Sequence, residues 1–304
     1  MSHRTNPSPA SSISRRRFAA ASALAAVGAA FGQQQASPKW FQISLAEWSV
    51  HKAIRSGQLK NLDFPKLARE KFGIEGLEFV NTLWESPTQG YLQRLKRNMA
   101  ATNTKCVLIM CDDEGFMGHS VQADRMKAAR NHYKWLDYTA ELGGHSIRVN
   151  MYPDKQPKTP EEITNYLNCC AESFTDLAGY ARKLNLNVII ENHGGLTSDP
   201  DILVRLMKLV NLPNFGLLPD FGNFYGAIDR YDAIAKMMPW AKGVSFKCFE
   251  FGPDGNETKM DLARLMKIVK DAGYKGWVGI EFEGEKTPEY EGIAQAKAFL
   301  DRTA

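Results

Sequence analysis

Residues 187–220, NVIIENHGGLTSDPDILVRLMKLVNLPNFGLLPD, hold the pattern from which the fold follows. A short β-branched run at 187–191 gives way to a helical repeat of apolar residues over 199–210, and a second apolar run follows at 214–219. Strand, helix and strand in this order make one parallel βαβ unit, because two parallel strands need a crossover to join them.

Working outward in both directions, the same unit recurs. Strands are expected at 41–46, 76–80, 105–111, 145–150, 187–191, 214–219, 242–248 and 277–283. Helical stretches are expected at 62–72, 87–103, 119–142, 160–185, 199–210, 228–239, 258–272 and 288–302. Glycines such as Gly73, Gly143 and Gly273 sit where a helix should end and turn into the next strand. Eight strands close a barrel, so the predicted class is α/β, a single-domain (β/α)8 TIM barrel over 33–304. An open doubly wound sheet would carry a Gly-rich phosphate loop after its first strand, and none is present.

The chain has 304 residues, 44% hydrophobic and 24% charged, which excludes a disordered, collagenous or disulfide-scaffold protein. Its five cysteines lack the short pair spacing of a zinc site, and free, partly buried thiols are expected. At the N-terminus, Ser14-Arg15-Arg16-Arg17-Phe18 precedes an apolar run, Ala19 to Phe31, that is too short to span a bilayer. This segment, 1–32, resembles a bacterial twin-arginine signal peptide with cleavage before Gln33. That implies an exported, periplasmic protein with no stable membrane anchor. Segment 1–32 contributes Arg4, Arg15, Arg16 and Arg17 and no acid, so the 38 basic residues fall to 34, against 34 acidic ones. A neutral body argues against a nucleic-acid partner.

Side chains alternate across a strand, so each predicted strand divides into a helix-facing and a barrel-facing set. The barrel-facing sets are Ser146, Arg148 and Asn150; Ile189, Glu191 and His193; Gly216, Leu218 and Asp220; Ser245 and Lys247; and Gly279, Glu281 and Glu283. Glu78 lies opposite the outward Leu77 and Phe79. Three carboxylates, Glu191, Asp220 and Glu281, thus converge from three strands, an arrangement that is costly unless compensated. One divalent cation would compensate them, and oxygen ligands with one imidazole suit Mn²⁺, Mg²⁺, Co²⁺ or Zn²⁺, with Mn²⁺ favoured. The bland alternative is a structural network in which the carboxylates pair with Arg148 and Lys247.

These residues, in Ile190-Glu191-Asn192-His193-Gly194-Gly195, Leu218-Pro219-Asp220-Phe221-Gly222-Asn223, Lys242-Gly243-Val244-Ser245-Phe246-Lys247 and Gly279-Ile280-Glu281-Phe282-Glu283-Gly284, resemble the xylose isomerase-like superfamily of sugar isomerases and epimerases. The resemblance implies a metal held by Glu191, Asp220, the position of Ser245, and Glu281. Where the family's H-x-K pattern places a histidine this chain has Ser245, followed by the matching Lys247, so His193 or water is the expected substitute. It further implies a small-molecule carbohydrate substrate and an enediolate formed by proton abstraction α to a carbonyl, with Glu191 and Glu281 as acid and base. Trp48, His51, Glu78, Arg148, His193 and Lys247 are the expected substrate contacts. A 3-keto-glycoside lyase acting by β-elimination and a non-catalytic sugar-binding barrel are the alternatives. A multi-zinc endonuclease of the same superfamily would need more inward histidines than His193 alone. A homo-oligomer is left open.

Overall fold

The computed structural model describes residues 39–303. The signal-like segment at 1–32 lies outside them, as do its cleavage and the export it implies. Eight strands follow in order: β1 Gln42–Ala46, β2 Gly76–Val80, β3 Lys105–Cys111, β4 Ser146–Val149, β5 Asn187–Glu191, β6 Phe215–Leu218, β7 Val244–Cys248 and β8 Trp277–Phe282. The helices are α1 His51–Arg55, α2 Phe64–Phe72, α3 Gln89–Thr102, α4 Gln122–Asn131, α5 Tyr133–Leu142, α6 Pro160–Lys183, α7 Pro200–Val210, α8 Arg230–Met237, α9 Leu262–Asp271 and α10 Glu289–Thr303. None among the described residues is long and apolar enough to cross a membrane.

All ladders are parallel, in the order β6-β5-β4-β3-β2-β1-β8-β7. The ring closes between β6 and β7 through two isolated bridges, Leu217 with Ala241 and Asp220 with Ser245, and the Ser245 N–H donates to the Pro219 carbonyl at 2.9 Å. The eight-stranded barrel expected from the sequence is therefore present.

The two faces of each strand sort as alternation requires. Val188, Ile190, Val244, Phe246, Val278 and Ile280 are buried in the large apolar layer with the helices. Ala46, Val80, Leu108, Met110, Ile189 and Leu218 form a separate, smaller apolar cluster inside the barrel. Burial of these two layers supplies the main driving force for the fold.

Three helices depart from expectation, the first being α1, His51–Arg55, which lies where no helical stretch was expected. The stretch 119–142 divides into α4 and α5 at His132, because the His132 ring takes the Ala128 carbonyl at 2.8 Å and its own N–H is drawn to Ala129 at 3.2 Å, tightening the turn. The stretch 258–272 becomes helical only at Leu262. The Glu257 carboxylate accepts the N–H groups of Lys259 and Met260, both at 2.6 Å, and Asp261 then caps α9.

Candidate active site

Strands β5 to β8 deliver their C-terminal ends to one point. Glu191 is the last residue of β5, Asp220 follows β6 by two residues, Ser245 and Lys247 stand on β7, and Glu281 stands on β8. One carboxylate oxygen from each of Glu191, Asp220 and Glu281 lies within 4.8 Å of the other two, and all three side chains are buried. A side-chain clip fixes the spacing of β5 and β6. The Asn192 amide donates to the Asp220 carbonyl at 3.0 Å and accepts the Asp220 N–H at 2.7 Å.

Each carboxylate has its own partners. Asp220 Oδ1 accepts the N–H groups of Gly222 and Asn223 at 2.8 and 2.7 Å, and its Oδ2 accepts the Ser245 hydroxyl at 2.6 Å. Ser245 Oγ also lies 3.2 Å from Glu281 Oε2, so the hydroxyl sits between two of the three carboxylates. Lys247 Nζ is 3.1 Å from Glu281 Oε1 and 3.0 Å from Glu283 Oε2. Glu191 Oε1 accepts from the Asn223 amide at 3.1 Å. Its Oε2 lies 3.0 Å from Arg148 Nε, but the N–H is not aimed at it: this ion pair leaves both atoms without a hydrogen bond.

The charge balance inside the barrel is uneven. Burial pushes the carboxyls of Glu191 and Asp220 upward, beyond what Arg148 and Lys247 offset. Burial acts on Glu281 in the same sense, but Lys247 outweighs it and holds the group below the ordinary carboxylate range. Glu78 is pushed up to about 8 by burial, against the Ser44 hydroxyl that donates to it at 2.6 Å. The three carboxylates Glu191, Asp220 and Glu281 thus outnumber the two buried cations Arg148 and Lys247, which Asp112 and Glu283 engage as well. A divalent cation would balance that difference, and the unbonded Glu191 Oε2 offers a lone pair for it. The donor set present fits such an ion.

The expected substrate contacts divide in space. Arg148 and Lys247 stand at the carboxylates. His193 is not among the mutually close ligand atoms; its Nδ1 pairs with the Tyr152 hydroxyl at 2.6 Å, and burial and Arg148 favour its neutral ring. It therefore does not take the place of the fourth ligand in this geometry. Trp48 is engaged on its ring by His51, stacked at 4.5 Å, and by the Arg55 guanidinium at 4.8 Å, while its N–H donates to Glu283. His51 Nδ1 in turn pairs with the Trp48 carbonyl at 2.6 Å. Stacking of Trp48 on a sugar would have to displace these partners. Glu78 also sits elsewhere than a substrate contact should. It is 1% exposed and leans over Gly279, two residues before Glu281, where an added Cβ would come within 2.3 Å of Glu78 Oε1. Glu78 therefore lies on the floor below the carboxylates, away from the mouth.

Residues that alternation within the strands did not reach complete the site. Asp112 accepts from Arg148 Nη1 and from the Asn150 amide, each at 2.6 Å, and anchors the guanidinium. Continuing the inward series Leu108 and Met110 one step past β3 leads to Asp112, and continuing that of β4 past Asn150 leads to Tyr152. Asn192 and Asn223 lie inside the quoted motifs but carry no signal of their own.

The chain matches the family described as Xylose isomerase-like TIM barrel over residues 66–303. No curated protein matches it. Among solved structures it is similar to 3-keto-D-glucoside 4-epimerase from E. coli, at 15% identity, covering 86% of this chain and 99% of that one with a TM-score of 0.67. An L-ribulose 3-epimerase aligns at 14% identity over 86% and 94% of the two chains, with a TM-score of 0.69. A xylose isomerase-like TIM barrel protein from Mycobacterium smegmatis, in complex with magnesium, aligns at 14% over 86% and 95%, with a TM-score of 0.63. At these identities the likeness is one of fold.

Proposed function

The chain belongs to the xylose isomerase-like TIM barrel family, and from that premise we propose that it is a divalent-metal-dependent sugar isomerase or epimerase that works by proton abstraction α to a carbonyl. The observation that carries the reading is the buried group of Glu191, Asp220 and Glu281, with ligand oxygens within 4.8 Å of one another at the C-terminal ends of the strands. The epimerases among the solved structures of the same fold support it.

Glu191, Asp220 and Glu281 would hold the ion, with Mn²⁺ or Mg²⁺ best suited to so oxygen-rich a set. When bound, the ion supplies Lewis acidity toward a substrate carbonyl. The protein's own groups manage the proton. Glu281, kept ionised by Lys247, is the base for the α-carbon, and Glu191, whose carboxyl burial raises, is the group that returns a proton from the other side of Asp220. Arg148 and Lys247 counter negative charge on the substrate oxygens. The Asn192 clip and the two backbone N–H groups on Asp220 hold the geometry without rearrangement. On the reading of 1–32 as an export signal, the substrate is met outside the cytoplasm.

Elemental analysis of the purified protein beside Glu281→Gln, with deuterium wash-in from heavy water on keto sugars and 3-keto-glycosides, tests this. About one divalent ion per chain, with exchange lost in the variant, is expected, and the product identifies isomerisation, epimerisation or elimination. No metal after supplementation, or metal without exchange on any sugar, sinks the catalytic assignment and leaves a binding barrel.

A further inference from the structure

Among the described residues the exposed large aromatic side chains are Phe116, Tyr152 and Tyr225, and they stand in the loops that follow β3, β4 and β6, on the same end of the barrel as the carboxylates. Phe116 is 47% exposed and Tyr152 37%. These two rings wall a cavity of about 230 Å³ whose polar lining includes Asp113, His132 and Asn150. The cavity adjoins the site through side chains. Asn150 accepts from Arg148 Nη1 at 2.9 Å, and Arg148 Nε lies 3.0 Å from Glu191.

The wall is built rather than loose. Asp113 and Gly115 both adopt positive φ, 61° and 104°, and bend the segment 112–116 around the cavity. That bend is held at its start and its middle: Asn81 pairs with both backbone groups of Asp112 at 2.8 Å, the Asn131 amide donates to the Glu114 carbonyl at 3.0 Å, and the Glu114 carboxylate takes the Trp135 N–H and pairs with Lys134. His132 donates its Nδ1 proton to Ala128, which makes Nε2 an acceptor.

From this geometry, and resting on the sugar-converting reading above, we propose that the cavity is a second-ring subsite and that the substrate is a glycoside: its reacting ring lies at Glu191, Asp220 and Glu281, and its attached sugar lies between Phe116 and Tyr152. Aromatic faces suit the C–H face of a sugar ring, while the Asp113 carboxylate and the His132 acceptor suit its hydroxyls. At about 230 Å³ the cavity falls below the roughly 300 Å³ at which whole-ligand pockets begin, which fits one ring and not an entire disaccharide. Asp113 has no ion-pair partner among the described residues, so a neutral sugar is favoured there over a phosphorylated one.

Titration calorimetry of the full chain, with and without Mn²⁺, tests the proposal. The probes are cellobiose, maltose and lactose, the corresponding methyl glycosides, and glucose 6-phosphate. At least one disaccharide should bind about tenfold more tightly than its methyl glycoside, the size of one good aromatic contact. Phe116→Ala should abolish that margin and leave the methyl glycoside unchanged, Phe116→Trp should keep it, and glucose 6-phosphate should gain nothing over methyl glucoside. Equal affinities for every pair, no binding of any probe, or a Phe116→Ala variant that weakens both members alike would overturn the subsite. Binding needs no turnover, so a disaccharide margin without deuterium exchange supports the subsite and overturns only the catalytic reading; exchange without a margin does the reverse.

Discussion

Replacing Lys247 by Met removes an ammonium from inside the barrel while keeping an unbranched stem of similar bulk. The stem space is defined by Gly222, where an added Cβ would meet Lys247 Cγ and Cδ at 2.8 Å, so a longer or branched replacement would confuse packing with charge. Lys247 is 4% exposed and lies 3.1 Å from Glu281 and 3.0 Å from Glu283. Removing one member of a buried ion pair costs about 3–5 kcal/mol. For a domain of this size each kcal/mol is worth roughly 2–4 °C, so chelator-stripped Lys247→Met should melt about 6–20 °C below the stripped parent. Saturating Mn²⁺ should recover a large part of that loss, because the ion neutralises Glu281, which Lys247 pairs with, and the variant should gain more from Mn²⁺ than the parent. Scanning calorimetry of both proteins in both states gives the four melting temperatures needed. An identical loss with and without Mn²⁺ would refute the reasoning: the carboxylates would then be a structural network balanced by Arg148 and Lys247 alone.

Further outcomes follow from the same geometry. Asp220, whose carboxyl burial raises, must release its proton to ligate, so Mn²⁺ affinity should climb with pH through the neutral range and binding heats should depend on buffer ionisation enthalpy; a pH-independent affinity contradicts this. Ser245→Ala removes the hydroxyl that bridges Asp220 and Glu281, and competition against a metal-sensitive dye should show affinity reduced about 10–100-fold; an unchanged value would make the hydroxyl irrelevant to the ion. Glu47, buried with Asn61 and the Val80 N–H as its donors, has its carboxyl pushed by burial up to about 8. A carboxyl raised on folding stabilises below its unfolded range and loses that contribution as pH rises through about 8. Urea midpoints of Glu47→Gln should therefore vary less than the parent's across that interval, and equal slopes would show that Glu47 does not titrate there.

Much of the barrel is readable in the chain because a strand has a period of two whatever surrounds it. Val244 and Phe246 against Ser245 and Lys247, or Ile280 and Phe282 against Glu281, reveal which side chains meet inside. Alternation assigns a face but no depth, which is why Glu78 reads as a substrate contact although the missing side chain of Gly279 lets it settle on the floor. Beyond strand ends the period stops. The bend at 112–116 and the pairing of Tyr152 with His193 are set by contacts between distant loops, and the stacking of His51 on Trp48 by the helical turn that follows β1. The break at His132 depends on where one ring finds a carbonyl, and helical periodicity runs through it unmarked.

The narrow closure between β6 and β7 gives the barrel the mechanics of a bracelet with a clasp. Seven of its joints are continuous ladders, and the eighth is two bridges, one of them formed by Asp220 and Ser245 themselves. Whatever grips Asp220 on one side of that joint and Glu281 on the other fastens the clasp from within. Occupancy of the site and the closure of the ring are then linked, and exchange of the amide proton of Ser245, lodged against the Pro219 carbonyl, should slow as the site fills.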